Sequence, residues 1–396
     1  MSERHPHILH LAGYHGHYAG SFVPMLTAAR AAVESVGWSF EVVFPRAVQS
    51  REWLKDLRST GMAAAVMPDL SRRAATSWLL RKLKRQDRAT VVHTHFTQWD
   101  IAAALAAPLA GQTATVWHLH SGPDRRTTTR ARNTLRFGLL GRRVQRILCV
   151  GPEVLQMALD RKAPADRVQL FPNAIDTARF IPVTADQRAA ARNALGLPRD
   201  AEVLLCFAWD WQLKGGPLFL EITSELRRRG RPALGLLVES AHAGAARGAG
   251  VPAPDVRTID PVSDVRFLYA AADVFVAPST AEGMPFSVLE ALCCGLPVVA
   301  SDLPAHKFAA EGIAACRVVP RSSGAFADAI EAHLDLSPAE RATRLTVDRK
   351  QIARGYSLDQ WSQRLQHLYE EILPVGHRKS VSGPELAGTR IASAER

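Results

Sequence analysis

Short runs rich in Val, Ile and Leu recur along the chain, each followed by a longer stretch of mixed polarity. In the first half they are HILHLAG, FEVVFP, ATVVHTH, TATVWHLH and RILCV; in the second, EVLLCFAW, ALGLLVES, DVFVAPS and PVVAS. Apolar runs of strand length, spaced widely enough for a crossover helix, predict parallel strands. Two such series predict an α/β protein of two doubly wound, Rossmann-like sheets. The proline-bounded segment 172-PNAIDTARFIPVTADQR-188 reads as the break between them. Residues 1–180 then form one domain and 181–350 the second. A helix is expected within 351–373, where Ser357 precedes Trp361, Leu365, Leu368 and Ile372 at near-helical spacing, and it can return to the first domain. Residues 374–396 are polar and contain Gly and Ser, so disorder is expected there.

Composition fits this division, because 396 residues with 47% hydrophobic content provide for two cores better than for one. No run approaches the roughly 20 apolar residues of a membrane span. The start, MSERHPHILHLAGYHG, enters a strand without a signal-peptide pattern, which points to the cytoplasm. Cys149, Cys206, Cys293, Cys294 and Cys316 lie in apolar surroundings without C-x-x-C pairs and read as reduced core thiols. Charge is unevenly spread. Residues 1–180 hold 25 Lys+Arg against 13 Asp+Glu (+12), and residues 181–396 hold 24 against 25 (−1). The excess gathers in 71-SRRAATSWLLRKLKRQDR-88 and in 121-SGPDRRTTTRARNTLRFGLLGRRVQR-146. Each alone reads as a solvated helix face; together they suggest an electropositive half with an acidic partner.

The stretch 281-AEGMPFSVLEALCCGLPVVASD-302 carries two glutamates, Glu282 and Glu290, around a Gly-Met-Pro turn. It follows the strand DVFVAPS and so lies beyond the carboxyl end of a parallel strand, where open α/β sheets bind ligands. Pro285 suits the first helical position, Gly295 the helix stop, and Pro297 blocks continuation. A helix N-terminus there can meet a phosphate. Carboxylates would repel that phosphate, so they make better sense as acceptors for hydroxyls on either side of a diphosphate. That describes a sugar nucleotide. On spacing alone, two solvent-facing helix glutamates explain the pattern as well.

The run 278-PSTAEGMPFSVLEALCCGLPVVASD-302 resembles the donor-site signature of retaining nucleotide-sugar glycosyltransferases of family four, which have the two-domain GT-B fold with a central cleft. Further matches follow in order over nearly the whole chain. They are the glycine loop 13-GYHGHYAGS-21, the strand ends 91-VVHTHF-96 and 117-WHLHSG-122, the segment 167-RVQLFPNAIDTARF-180, the 214-KGG-216 turn and 268-LYAAADVFVAPS-279. The resemblance implies that Glu282 binds near the sugar, Glu290 binds the ribose and Lys214 meets phosphate. Gly20, Ser21, Gly283, Met284, Pro285 and Phe286 would complete the donor site. It also implies His120 as the active-site histidine. His15, His17, His95, Arg125 and Arg126 are candidates on the acceptor side, a loop position being as good an explanation for His15 and His17.

Two departures from the family pattern stand out. Ala208 and Trp209 occupy the positions of a usual Gly-Arg pair, which removes a phosphate-binding guanidinium, and Ala174 stands where glycine is favoured. The pairs His93/His95 and His118/His120 are read as alternating on strand ends, each pair projecting to opposite faces, with one structural member apiece. A histidine metal site lacks the spacing of zinc ligands on one helix, and no Asp-x-Asp triplet occurs, so no metal and no cofactor are expected.

The implied activity is retaining transfer of a glycosyl unit from a nucleoside-diphosphate sugar, as co-substrate, to an acceptor hydroxyl. The implied setting is synthesis of cell-surface glycans, glycolipids or glycoconjugates. An acidic glycan or a lipid-linked acceptor would account for the basic N-terminal half, with peripheral contact to an anionic membrane as one version. A sugar-nucleotide epimerase of the same fold is the main alternative. A nucleic-acid-binding module fits the net charge of +11 but lacks interleaved aromatics in the arginine stretch, so no nucleic-acid partner is expected.

Overall fold

A computed structural model describes residues 5–67, 69–120, 133–239 and 254–373. Two parallel sheets form the framework. In the first, seven strands run in the order β3 (Ala64–Met67), β2 (Ser39–Pro45), β1 (His7–Ala12), β4 (Thr90–His95), β5 (Thr113–Leu119), β6 (Arg146–Cys149) and β7 (Val168–Leu170). In the second, six run in the order β10 (Val256–Ile259), β9 (Ala233–Val238), β8 (Glu202–Phe207), β11 (Val274–Ala277), β12 (Val298–Ser301) and β13 (Cys316–Val319). Strand order reverses beside β1 in one sheet and beside β8 in the other. Each reversal opens a crevice at the carboxyl ends of the strands.

Helices α1 (Phe22–Ser35), α2 (Glu52–Ser59), α3 (Arg72–Lys84), α4 (Asp100–Ala106) and α5 (Pro152–Asp160) accompany the first sheet. Six more go with the second: α6 (Ala185–Ala194), α7 (Gly216–Arg228), α8 (Arg266–Ala271), α9 (Phe286–Cys293), α10 (Pro304–Ala309) and α11 (Ser323–Leu334). The strands are apolar on both faces because helices cover both. Every residue of β1, β4, β11 and β12 is buried. α6 starts inside the segment expected to be an irregular break, since Thr184 and Gln187 form a capping box that fixes its first turn.

The last described helices are α12 (Pro338–Tyr356) and α13 (Leu358–Ile372). Ser357 caps α13 through the Gln360 amide and also bridges to Ile175. From there α13 lies on α1, and Trp361, Leu365, Leu368 and Tyr369 enter the same core as Phe22, Met25 and Leu26. The first domain is therefore completed by the last described helix. Where the two domains meet, Gly151 faces Gly283. A Cβ on Gly151 would stand 2.5 Å from the Gly283 carbonyl oxygen, so the approach is one of backbone on backbone.

All five cysteines are free and buried. Burial pushes the Cys149, Cys293, Cys294 and Cys316 thiols up to about 12. Ala174 is fully buried and is absent from the non-glycine residues with positive φ, so the missing glycine causes no backbone strain. The polar stretch 374–396 lies outside the described residues. No helix among the described residues is long and apolar enough to cross a membrane.

Candidate active site

Between the sheets lies a cavity of about 410 Å³ lined by residues of both domains. The second domain contributes the loop from Pro278 to Pro285 and the start of α9. Pro285 precedes the first helical residue, Phe286, instead of occupying that position. Glu282 Oε1 accepts from Lys214 Nζ at 2.6 Å and from Ser279 Oγ at 2.8 Å. Burial alone would raise the Glu282 pKa, but the Lys214 charge, His306 and these hydrogen bonds outweigh it and hold the carboxyl below its usual range.

Glu290, eight residues on, is only 8% exposed. It accepts from the Tyr269 hydroxyl at 2.9 Å and from the Ser21 hydroxyl across the cleft. Burial pushes its pKa up, and the two hydrogen bonds only partly oppose that. No cation pairs with Glu290 at salt-bridge distance among the described residues. The glutamates thus differ in kind: Glu282 is an ion-paired carboxylate and Glu290 is a buried acceptor for hydroxyls.

Lys214 is held by the turn that starts α7. Gly215 has φ +73°, and a Cβ there would lie 2.0 Å from the Pro278 carbonyl oxygen, so the lysine and the glutamate loop pack together only with glycine between them. Ala208 is fully buried, whereas Trp209 is 58% exposed and lines the cavity with its ring 5.1 Å from Lys214 Nζ. The position of the missing guanidinium is therefore an exposed indole. Arg179 also lines the cavity, 3.4 Å from Asp264 and stacked on Phe180. It escaped the sequence reading because it belongs to the segment between the domains, not to a strand-end motif. Asn173 was missed for the same reason; Tyr269, in α8, and Ser279, just past β11, lie inside quoted motifs that carried no assigned role for them.

On the first domain's wall, Gly20 has φ +54° and precedes Ser21 at the start of α1. Tyr18 donates to the Pro261 carbonyl at 2.6 Å, a second link across the cleft. His15 and His17 are exposed and do not line the cavity; His17 Nδ1 instead meets Arg51 Nη1 at 2.7 Å. His120 lines it, stacked on Phe96 with ring centroids 4.5 Å apart. Phe96 and Thr97 carry φ of 61° and 60°, a left-handed pair that follows His95 directly and brings the Phe96 ring onto His120. Ser121, Gly122, Arg125 and Arg126 lie outside the described residues.

The expectation that each histidine pair splits between faces is wrong. Side chains alternate with a period of two, so residues i and i+2 share a face. His93 and His95, His118 and His120, and His10 from β1 form one layer beneath the cavity. His120 Nε2 lies 2.9 Å from His95 Nδ1, and His95 Nε2 lies 3.0 Å from His10 Nδ1. His10 Nε2 meets the Tyr369 hydroxyl at 2.8 Å, and the same hydroxyl meets His93 Nδ1 at 2.5 Å. His93 Nε2 then lies 3.3 Å from His118 Nδ1. Burial drives the His10 and His118 pKa values down to about 3, with the His118 charge adding to the effect on His10. His93, His95 and His120 are pushed well below the usual range, burial again first. The trios His10/His93/His95 and His95/His118/His120 have nitrogens close enough together to hold a metal ion. Neither includes a carboxylate to balance a dication, and the nitrogens already face one another as hydrogen-bond partners.

Residues 202–335 match the family model described as glycosyl transferases group 1, and residues 46–179 match the model for glycosyltransferase family 4. Among curated proteins, the chain is 34% identical over 229 residues to the D-inositol 3-phosphate glycosyltransferase of Saccharomonospora viridis, covering 53% of this chain and 52% of that one. It is 29% identical over 224 residues to the Mycolicibacterium smegmatis enzyme of the same name, covering 52% and 49%. The chain spans about half the length of the curated relatives it matches. Among solved structures, a glycosyltransferase from Rickettsia africae superposes with a TM-score of 0.78 at 15% identity, covering 94% of this chain and 99% of that one. Anabaena HepE in complex with UDP-glucose gives 0.75 at 14%, covering 92% and 99%. Both share the two-domain architecture described above. On its two matched halves and its fold, the chain belongs to the group 1, family 4 glycosyltransferases.

Proposed function

We propose that the protein transfers a glycosyl unit from a nucleoside-diphosphate sugar to an acceptor hydroxyl with retention at the anomeric carbon. The observation that carries this reading is the pairing of Glu282–Lys214 with the buried acceptor Glu290 at the carboxyl ends of β8 and β11, opposite the Gly20–Ser21 turn. Glu290 would take the ribose hydroxyls in place of the Ser21 and Tyr269 hydroxyls. Glu282 would hold the sugar. Lys214, the Gly20 and Ser21 amides and the start of α9 near Phe286, with Gly283, Met284 and Pro285, would surround the diphosphate. As the C1–O bond to phosphate breaks, negative charge grows on the leaving oxygen, where these groups stabilise it. The acceptor oxygen bonds C1 on the same face, and its proton passes to the leaving phosphate.

Thermal-shift measurement against a panel of sugar nucleotides tests the donor class, because a ligand of the folded state raises apparent stability with concentration. Product analysis with and without acceptor separates transfer from epimerisation, which would make a new sugar nucleotide without any acceptor. An acceptor at an anionic membrane face is supported by Leu135 and Leu139, 67% and 59% exposed, near the exposed Arg142 and Arg143. These leucines do not pack on the sheet; Leu140 does. Arg136, expected among the surface contacts, is instead tucked against Phe137 and pairs with Asp100 at 3.5 Å. Peripheral membrane contact and a role in surface-glycan synthesis belong to this reading.

A further inference from the structure

The amino end of the first sheet holds a second cavity, of about 640 Å³, larger than the one between the domains. Its floor includes β5, where Thr115 is 1% exposed and its hydroxyl has no hydrogen-bond partner among the described residues. A buried hydroxyl without a partner forfeits the bonds it had with water, so a group that can pair with it is favoured there. Gln145, just before β6, lies beside it. Its Oε1 accepts from the Thr115 amide at 2.6 Å, which commits the oxygen and leaves the NH2 group as a donor.

Three arginines form one side of the cavity. Arg167 Nη1 donates to the carbonyls of Arg142 and Val144, the latter at 2.9 Å, which ties its guanidinium to the turn that carries Arg142 and Arg143. No acidic residue lines the cavity. Nearby in the chain, Arg136 and Arg146 are claimed by Asp100 and Glu371. Arg167 has only the exposed Asp166, 3.8 Å away, and Arg142 and Arg143 pair with no carboxylate among the described residues. The other side is apolar. Leu105 in α4 and Leu109 in the turn after it both line the cavity, and Leu109 is 65% exposed.

We propose that this cavity binds the phosphate headgroup of an anionic membrane lipid, with the phosphate among Arg142, Arg143 and Arg167 and the first acyl carbons against Leu105 and Leu109. Guanidinium groups present planar, paired N–H donors that match phosphate oxygens, and Thr115 and Gln145 add neutral donors behind them. Nucleic acid would meet the same charges, but no aromatic side chain lines the cavity to stack a base. The choice of a lipid as the source of the phosphate follows from the leucines, and it rests on the membrane contact proposed above. Leu139, exposed like Leu109, precedes Arg142 by three residues, a reach of at most about 11 Å. The lipid held here is an anchor and not the acceptor: Thr115 and the cavity-lining His120 of the catalytic site stand about 16 Å apart along an extended strand. The chain between β5 and β6 has to return from the carboxyl end of the sheet to its amino end, so Leu135, Leu139 and Arg142 follow one flank towards the pocket. A headgroup in the pocket would hold that flank, and with it the cleft, against the membrane.

Dihexanoyl phosphatidylglycerol, kept below its micelle concentration, probes the pocket without a bilayer. Titration calorimetry on the full-length protein is expected to show saturable binding, weakened about three- to tenfold by Thr115→Val, which removes one hydrogen bond and no charge. Inorganic phosphate should compete, and should bind more weakly because it leaves the leucines untouched. If Thr115→Val does not fold, two exposed arginines give an independent pair: Arg142→Gln should weaken lipid binding, and Arg46→Gln, just past the carboxyl end of β2, should not. Leu109→Ser should lower affinity for phosphatidylglycerol vesicles and leave that for inorganic phosphate unchanged. Equal losses in Arg142→Gln and Arg46→Gln, or full binding in both Thr115→Val and Arg142→Gln, overturn the pocket, since diffuse attraction would then suffice. Phosphate binding as tight as that of the short-chain lipid, without vesicle binding, overturns the lipid and assigns the pocket to a soluble phosphate ester. Sugar-nucleotide affinity should be the same in every variant. Its absence from the wild type would instead sink the glycosyltransferase reading, and the lipid titration would still stand.

Discussion

Ser21, at the start of α1, donates its hydroxyl hydrogen bond across the cleft to Glu290, in the middle of α9. The contact joins the domains through a carboxylate whose only other hydrogen-bond donor among the described side chains is Tyr269. A ribose diol would offer two hydroxyls to the same carboxylate. Glu290→Gln is therefore expected to fold and to bind nucleoside diphosphate about ten- to a hundredfold more weakly, the loss of charge-assisted bonds of about 1.5–3 kcal/mol. Titration calorimetry decides, and equal affinity in the variant would remove Glu290 from the donor site.

Lys214 has two tasks, since it neutralises Glu282 as well as facing the proposed phosphate. Lys214→Ala would leave a largely buried carboxylate without its cation, a loss of about 3–5 kcal/mol when one partner of such a pair is removed. Denaturant titration should show that loss, with turnover falling in the protein that remains folded. Trp209→Arg should raise donor affinity, because it restores a cation at the mouth of the site. Intact turnover in Lys214→Ala would mean that this turn does not serve the chemistry.

The histidine layer makes the fold sensitive to acid. Its folded-state pKa values lie far below the unfolded value near 6.5, so stability is fully present above pH 6.5 and is lost as pH falls toward about 3. Each neutral buried histidine costs about 1.4 kcal/mol per pH unit in that window, and five together cost about 7, against a total stability of about 5–15 kcal/mol. Circular dichroism against pH should show cooperative unfolding near pH 5. Retention of structure down to pH 3 would mean that the layer takes up protons while folded.

Transfer should proceed in excess chelator. The proposed phosphate contacts are Lys214, backbone amides and the start of α9, with no aspartate pair to carry a divalent ion. Abolition by chelator and recovery with manganese would replace this scheme with metal neutralisation.

Anionic vesicles should sediment the protein, and neutral ones should not. Replacing Arg142 and Arg143 by Gln should weaken sedimentation, as should added salt, because each basic residue near such a surface contributes about 1 kcal/mol. Leu139→Ser should weaken it independently of salt. No salt-sensitive vesicle binding would point to a soluble acidic acceptor.

The parallel strands and the glutamate loop could be read from the chain because both are local: apolar runs mark the strands, and Pro285 and Gly295 bracket α9. The histidines could be found but not arranged. His93 and His95 share a face by the elementary period of a strand, and the partner that links them to His10 is Tyr369, 276 residues beyond His93. Arg136 shows the opposite failure. In the sequence it is one of eight arginines in a basic run; in the fold Asp100 claims it, while Leu135, one residue before it, faces solvent. Local pattern gives the period of an element, and long-range packing decides which charge is left for a partner.

The return of α13 to the first domain sets an order of events for the nascent chain. As β1 to β7 leave the ribosome, their sheet lacks Trp361, Leu365, Leu368 and Tyr369, and one flank of its core stays open until the last described helix has been made. The usual sequence, in which the N-terminal domain matures while the next is still being synthesised, cannot finish here. Instead the second domain is translated in full while the first waits, and the last described helix closes the first. A stop codon before residue 358 would thus damage the end of the protein that had been made first.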